Sequence, residues 1–254
     1  MSKIISIHSY RGGTGKSSLT ANIAACVAGA GYRVGMIDTD LPSPGIHVLF
    51  NVNLDQLTYK LNDFLWGRCA IKDTVCNVTH VLPQKKENSQ LYLVSASTKL
   101  ADISRVLREG FDPEILLQGL QDLIKALNLD YLFIDTHPGL NEETLLSLTI
   151  SNLVFLVLRP DQQDFQGTAV TIDVARRLKV ENLKLVVNKV LKTYDFKQVS
   201  QKISQTYGAP VVGIFPESED MIRLASNGVF CLKYPDHPMS KMYQHIAQKA
   251  IALT

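Results

Sequence analysis

Residues 11–17 read Arg-Gly-Gly-Thr-Gly-Lys-Ser, between a strand-like apolar run at 4–7 and a helix-like stretch at 19–30. Few backbones satisfy that arrangement. Gly12, Gly13 and Gly15 carry no Cβ, so the turn can take dihedrals other residues avoid and aim its N–H groups inward at a polyphosphate. The anion then sits on the positive end of the following helix. The run Gly12, Gly13, Thr14, Gly15, Lys16, Ser17, Ser18 is therefore the candidate phosphate-binding element. Lys16 would reach the β/γ-phosphate oxygens and the Ser17 hydroxyl would hold Mg²⁺. The ordinary phosphate-loop pattern has its first glycine where this chain has Tyr10, so only a restricted variant fits, with a cation ahead of Gly-Gly-x-Gly-Lys-Ser. The competing reading is a glycine-rich strand-to-helix turn with no ligand, and the flanking strand and helix argue against it.

The rest of the chain alternates short β-branched runs with longer stretches of helical period. That pattern predicts one α/β domain spanning 1–254, a mostly parallel central sheet flanked by helices on both faces. Strands are expected at Lys3–His8, Arg33–Asp38, 91–95, Tyr131–Asp135, Leu153–Leu158, 184–188 and 211–214. Several are apolar throughout, as strands buried on both faces should be. The helix at Pro113–Leu127 is well marked. Asp112 can cap it, Pro113 suits its first position, and Leu116, Leu117, Leu120, Leu123, Ile124 and Leu127 form one stripe for the core. Further helices are expected at 141–148, 166–178, Phe196–Tyr207, 219–226 and 240–253. Residues 50–90, with Trp66 and a solvated loop at 84–90, are expected to pack beside the sheet.

Composition narrows the partners. With 46% hydrophobic and 20% charged residues the chain suits a compact core. Its net charge of +2 offers no global pull toward nucleic acid or anionic lipid, so any such binding needs a local patch. Cys26, Cys69, Cys76 and Cys231 form no C-x-x-C pair, which argues against zinc or a redox dithiol and for buried thiols in a reducing compartment. With no signal-peptide pattern and no 18-residue apolar span, the expected location is cytoplasmic.

Taken with its strand and helix, the loop resembles the deviant Walker A motif of the ParA/MinD family of P-loop ATPases, whose signature cation, usually Lys, is Arg11 here. Two acidic elements at predicted strand ends extend the likeness. Asp38-Thr39-Asp40 resembles switch I, which implies that Asp38 supports the Mg²⁺ hydration shell and Asp40 orients the attacking water. Asp135-Thr136-His137-Pro138-Gly139 resembles Walker B with switch II, which implies that Asp135 bonds a Mg²⁺-bound water. His137 is assigned no role. Asn188 resembles the family's base-contacting Asn and Pro216-Glu217 its adenine-side turn, and Leu191 stands where a guanine reader needs Asp, so ATP is favoured. The family's signature cation crosses a nucleotide-sandwich dimer, which implies that Arg11 joins Lys16 and Asp40 in catalysis from the partner subunit. Arginine keeps the charge and adds a planar fork suited to phosphate oxygens. The stretches 38–50, 135–148 and 159–167 look closest to MinD-like proteins. The resemblance implies an ATP-dependent homodimer that slowly hydrolyses Mg-ATP and switches its hold on a protein activator, cargo or surface.

Other functions on this fold are separable. Iron-protein reductases need cluster-bridging cysteines and metal carriers a C-x-x-C pair, and neither is present. ATP-dependent small-molecule synthetases lack a cation at the place of Arg11, and a nucleotide-switched interaction module would lose Asp40. The C-terminal stretch 240–253 has only Lys241 and Lys249 as cations, too few for a membrane-surface helix, and reads as packed on the domain. The densest basic cluster, Arg176, Arg177, Lys179 and Lys184, is the place non-specific DNA binding would use, although it reads as a solvated face.

Overall fold

The computed structural model describes residues 2–83 and 85–254. Its strands are β1 (Lys3–His8), β2 (Arg33–Asp38), β3 (Val75–Asn77), β4 (Gln90–Val94), β5 (Tyr131–Asp135), β6 (Leu153–Leu158), β7 (Leu183–Val190) and β8 (Val211–Pro216). They form one sheet in the order β3-β4-β2-β5-β1-β6-β7-β8, parallel at every pairing except β3 with β4. The helices are α1 (Lys16–Gly29), α2 (Ile46–Leu49), α3 (Leu61–Leu65), α4 (Leu100–Glu109), α5 (Pro113–Leu127), α6 (Glu142–Ile150), α7 (Gln162–Arg177), α8 (Phe196–Tyr207), α9 (Glu219–Leu224), α10 (Phe230–Lys233) and α11 (Pro238–Leu253).

Helices cover both faces, which is why the central strands can be apolar throughout. Ile5, Ile7, Val34 and Met36 point to one side, under Ile23 and Val27 of α1 and Ile246 and Ala250 of α11. On the other side Ile37, Leu132 and Ile134 meet Leu116, Leu120 and Leu123 of α5, while Leu156 and Leu158 meet Ile172 of α7 and Ile203 of α8. The C-terminal helix, expected at 240–253 and observed as α11 from Pro238, thus packs on the domain as expected, its Met239, Tyr243, Ile246, Ala247 and Ala250 buried. Among the described residues no helix is long and apolar enough to cross a membrane.

Helix α5, whose start signals are local, falls where the sequence puts it. Asp112 accepts from the Glu114 N–H at 2.8 Å and Pro113 opens α5. Others run longer. Helix α7 starts at Gln162 rather than 166 because Asp161 caps it, accepting from the Asp164 N–H at 3.0 Å. The 50–90 region needs correction. It does not merely lie beside the sheet, because β3 joins it as an antiparallel edge strand on β4. Gln84, which opens the expected solvated loop, lies outside the described residues; Ser89 in that loop is buried, its hydroxyl donating to the Ala28 carbonyl at 2.7 Å. Helix α4 was not anticipated. It carries the Arg105 guanidinium 4.3 Å from the centre of the Trp66 ring, a cation–π contact to the end of α3.

Candidate nucleotide site

Strand order reverses around β1, which lies between β5 and β6, so the chain departs in opposite directions from neighbouring carboxyl ends and leaves a crevice. The 11–17 loop fills that position. Gly13 and Gly15 have φ of 74° and 97°, the left-handed region that favours glycine. Gly15 is doubly constrained, since a Cβ there would lie 2.4 Å from Asn188 Nδ2. Gly15 also stands at the N-cap of α1, which receives no side-chain cap from the described residues and has no acidic residue in its first turn. The helix end is open to an anion, in contrast to the capped α5. From β7, Asn188 Nδ2 donates to the Thr14 carbonyl at 2.7 Å and Lys189 Nζ to the Gly13 carbonyl at 2.9 Å, bracing the loop from behind.

Asp38 and Asp135 are register partners on the adjacent strands β2 and β5. Both are fully buried. Asp38 Oδ2 accepts from the backbone N–H groups of Gly45 at 2.8 Å and Ile46 at 3.1 Å, and Oδ1 from that of Asp40 at 3.2 Å. Burial, then the Asp135 carboxylate, pushes the Asp38 carboxyl up to about 8, against those hydrogen bonds. Burial likewise pushes Asp135 up to about 6, while Ser17, Lys16 and Thr20 pull it down. Its Oδ1 accepts from the Thr20 hydroxyl at 3.2 Å, and its buried Oδ2 finds no hydrogen-bond partner among the described residues. Lys16 is buried, which lowers its ammonium's pKa, and Asp135, Asp40 and Asp38 oppose that shift. Two buried carboxyls side by side, one with an orphaned oxygen beside Ser17 and Lys16, fit a divalent cation. No cluster of three or more His, Cys, Asp or Glu able to hold a metal occurs among the described residues.

A cavity of about 430 Å³ opens beside the loop, lined by Gly15, Ser18, Asn188, Pro216, Glu217 and Tyr243 among others. The three positions expected at the base therefore meet in one place, with the Asn188 amide already engaged by the loop. Phe230, Met239 and Tyr243 join them, apolar contributions from α10 and α11 that carry no local motif.

Arg11 is tethered within its own chain. Its guanidinium lies 3.1 Å from Asp161 Oδ1 and 3.5 Å from Asp164 Oδ1, and Arg159 binds the same two carboxylates at 3.0 and 3.5 Å. Asp40 is tethered too, its Oδ1 lying 2.7 Å from His137 Nδ1. Sequence reasoning found neither contact. Tyr10 lies across Gly167 of α7, where a Cβ would come 2.0 Å from the ring. In the basic cluster, Arg176 is spent on the Tyr207 carbonyl and Asp173. Of the cysteines only Cys231 is fully buried; Cys26, Cys69 and Cys76 are half-buried, and Cys26 Sγ stands 3.6 Å from Cys231 Sγ.

A family model described as ParA, NUBPL iron-transfer P-loop NTPase, matches residues 1–251. The chain belongs to the ParA family of P-loop NTPases. Its sequence is 26% identical over 253 residues to an uncharacterized ATP-binding protein of Methanocaldococcus jannaschii, covering 99% of this chain and 88% of that one. It is 27% identical to an iron-sulfur cluster carrier protein of Saccharolobus solfataricus, covering 98% and 83%. Among solved structures, the septum site-determining protein MinD of Pyrococcus horikoshii, complexed with Mg-ADP, superposes with a TM-score of 0.79 at 19% identity, over 98% of this chain and 96% of that one. This ParA-family chain has the ParA/MinD fold. The ParA-family chain's own thiols are spread over α1, α10, β3 and the turn after α3.

Proposed function

We propose that this chain, acting as one domain over 1–254 in the cytoplasm, is a dimerising ATPase of the ParA/MinD type. It binds Mg-ATP, hydrolyses it slowly to ADP and phosphate, and so switches its hold on a protein partner or surface. The observation that carries this reading is the pairing of Asp38 with Asp135 at adjoining strand ends, the orphaned Asp135 oxygen beside Lys16 and Ser17. The phosphates would lie on the N–H groups of the 12–18 turn. Ser17, Asp38 and Asp135 would hold Mg²⁺ and its waters, which supply charge neutralisation at the transferring phosphoryl group. Asp40 would orient the attacking water. Asn188, Pro216 and Glu217 would border the base.

Arg11 acts in this reading only after release from Asp161 and Asp164, when it reaches the partner's phosphates. An arginine supplied across an interface is worth about 10³–10⁵ in rate. Light scattering and phosphate release test the proposal together. Lys16→Ala should lose ATP binding, Asp40→Ala should bind ATP, stop turning over and accumulate as dimer, and Arg11→Ala should bind ATP and stay monomeric. An Arg11→Ala protein that dimerises as well as wild type, or a wild type that never dimerises, would count for the synthetase-like alternative.

A further inference from the structure

We propose that His137 is a positioning residue for Asp40, holding one carboxylate oxygen so that the other faces the attacking water; the inference rests on the proposed ATPase reading. The contact follows from sheet register. Asp38 and Asp135 are partners on β2 and β5, and each loop then runs two residues further, to Asp40 and to His137. Equal offsets from a register pair bring the two side chains together, His137 Nδ1 to Asp40 Oδ1 at 2.7 Å, although 97 residues separate them in the chain.

Both ends of the contact are fixed from behind. On the Asp40 side, its backbone N–H donates to Asp38 Oδ1, and Thr39 donates to the Asp135 carbonyl from its N–H at 3.0 Å and its hydroxyl at 2.9 Å. On the His137 side, the Thr136 N–H and hydroxyl both donate to the Ile7 carbonyl at 3.2 Å, and the Thr144 hydroxyl of α6 donates to the His137 carbonyl at 3.3 Å. A carboxylate only accepts, so His137 donates from Nδ1. With Oδ1 held, rotation of the carboxylate is stopped and Oδ2 remains to accept from water. Asp40 is 14% exposed and His137 33%, so solvent reaches the pair and a water can be delivered. Misplacing a reacting group by about 1 Å costs on the order of 10²-fold in rate. A tethered carboxylate that merely loosens should cost less.

The test measures phosphate release and ATP-analogue binding in His137→Ala, His137→Asn, His137→Gln and Asp40→Ala, with circular dichroism on each. His137→Ala should lower kcat by about tenfold with KM for ATP within about twofold. His137→Asn, whose amide nitrogen can occupy the Nδ1 position, should recover most of the loss, and His137→Gln, whose amide reaches the Nε2 position, should not. A residue that only stabilises the turn would not separate Asn from Gln. Wild-type kcat in His137→Ala, equal rates in the Asn and Gln variants, or loss of ATP binding in His137→Ala each overturns the positioning role while leaving the ATPase reading intact, provided Asp40→Ala is inactive. Wild-type turnover in Asp40→Ala overturns the reading of Asp40 itself, and the proposal falls with it.

Discussion

Individual residues here carry constraints that their neighbours in sequence do not reveal. Gly15 is the sharpest case. Its positive φ would strain any L side chain, and a Cβ would collide with Asn188, whose amide braces the loop through Thr14. Gly15→Ala should therefore cost more than the ~1–3 kcal/mol of left-handed strain alone, and it should lower ATP-analogue affinity even in protein that remains folded. Titration of analogue binding beside thermal unfolding checks both halves; unchanged affinity would mean that the loop can re-form around the methyl group. The placement of the phosphate loop, Asp38, Asp40 and Asp135 at strand ends was legible because each lies in a contiguous motif at the end of an apolar run. The tethers were not. Asp161 lies 150 residues from Arg11 and His137 lies 97 from Asp40, and only strand register and loop geometry bring them together.

Among the elements, legibility followed burial and capping. Strands β1, β2, β5 and β6 match their expected bounds because their continuous apolar runs end sharply, and α5 matches because Asp112 and Pro113 mark its start. Helix α4 escaped notice for the opposite reason. None of its residues is fully buried, its start receives no side-chain cap among the described residues, and Leu100 and Leu107 stay exposed. Strand β3 has three residues, too few for a period. Helix α5 also holds a case in which packing reverses propensity. Replacing a mid-helix glycine with alanine ordinarily stabilises by about 1 kcal/mol. At Gly119 the new methyl would sit 2.4 Å from the Phe64 ring of α3, so the ring must shift in a packed interface. Gly119→Ala should destabilise by about 1–3 kcal/mol net, and a raised melting temperature would show that Phe64 moves freely.

At the scale of the whole molecule, the sheet gathers ionisable groups that water would otherwise stabilise, and global stability acquires a pH dependence. His8, at the end of β1, is fully buried with its Nδ1 2.7 Å from the Thr136 hydroxyl. Burial first, then Lys16 and His137, push its pKa down to about 3 from 6.5. Above pH 6.5 His8 is neutral in both states and adds no slope. Between 6.5 and 3 the unfolded chain takes up a proton the folded chain refuses, so this residue's contribution to stability falls as pH falls. Asp38 and Asp135, both raised by burial, act with the opposite sign, favouring the fold as pH drops from about 8 toward 4. The difference between wild type and His8→Asn isolates the histidine. Urea unfolding at pH 7 and pH 4 should show a loss smaller in the variant by about 3 kcal/mol, at 1.36 kcal/mol per pKa unit. Equal losses would mean that His8 is protonated without unfolding.

The contact between Tyr10 and Gly167 joins the strand-to-loop turn to the middle of α7 with no room to spare. The two positions are therefore not free to vary one at a time. A homologue that gains any side chain at 167 must surrender the ring at 10, and one with a small residue at 10 opens a void that 167 is then free to fill. Among descendants of this sequence the pair should change in step, a covariation that records steric exclusion.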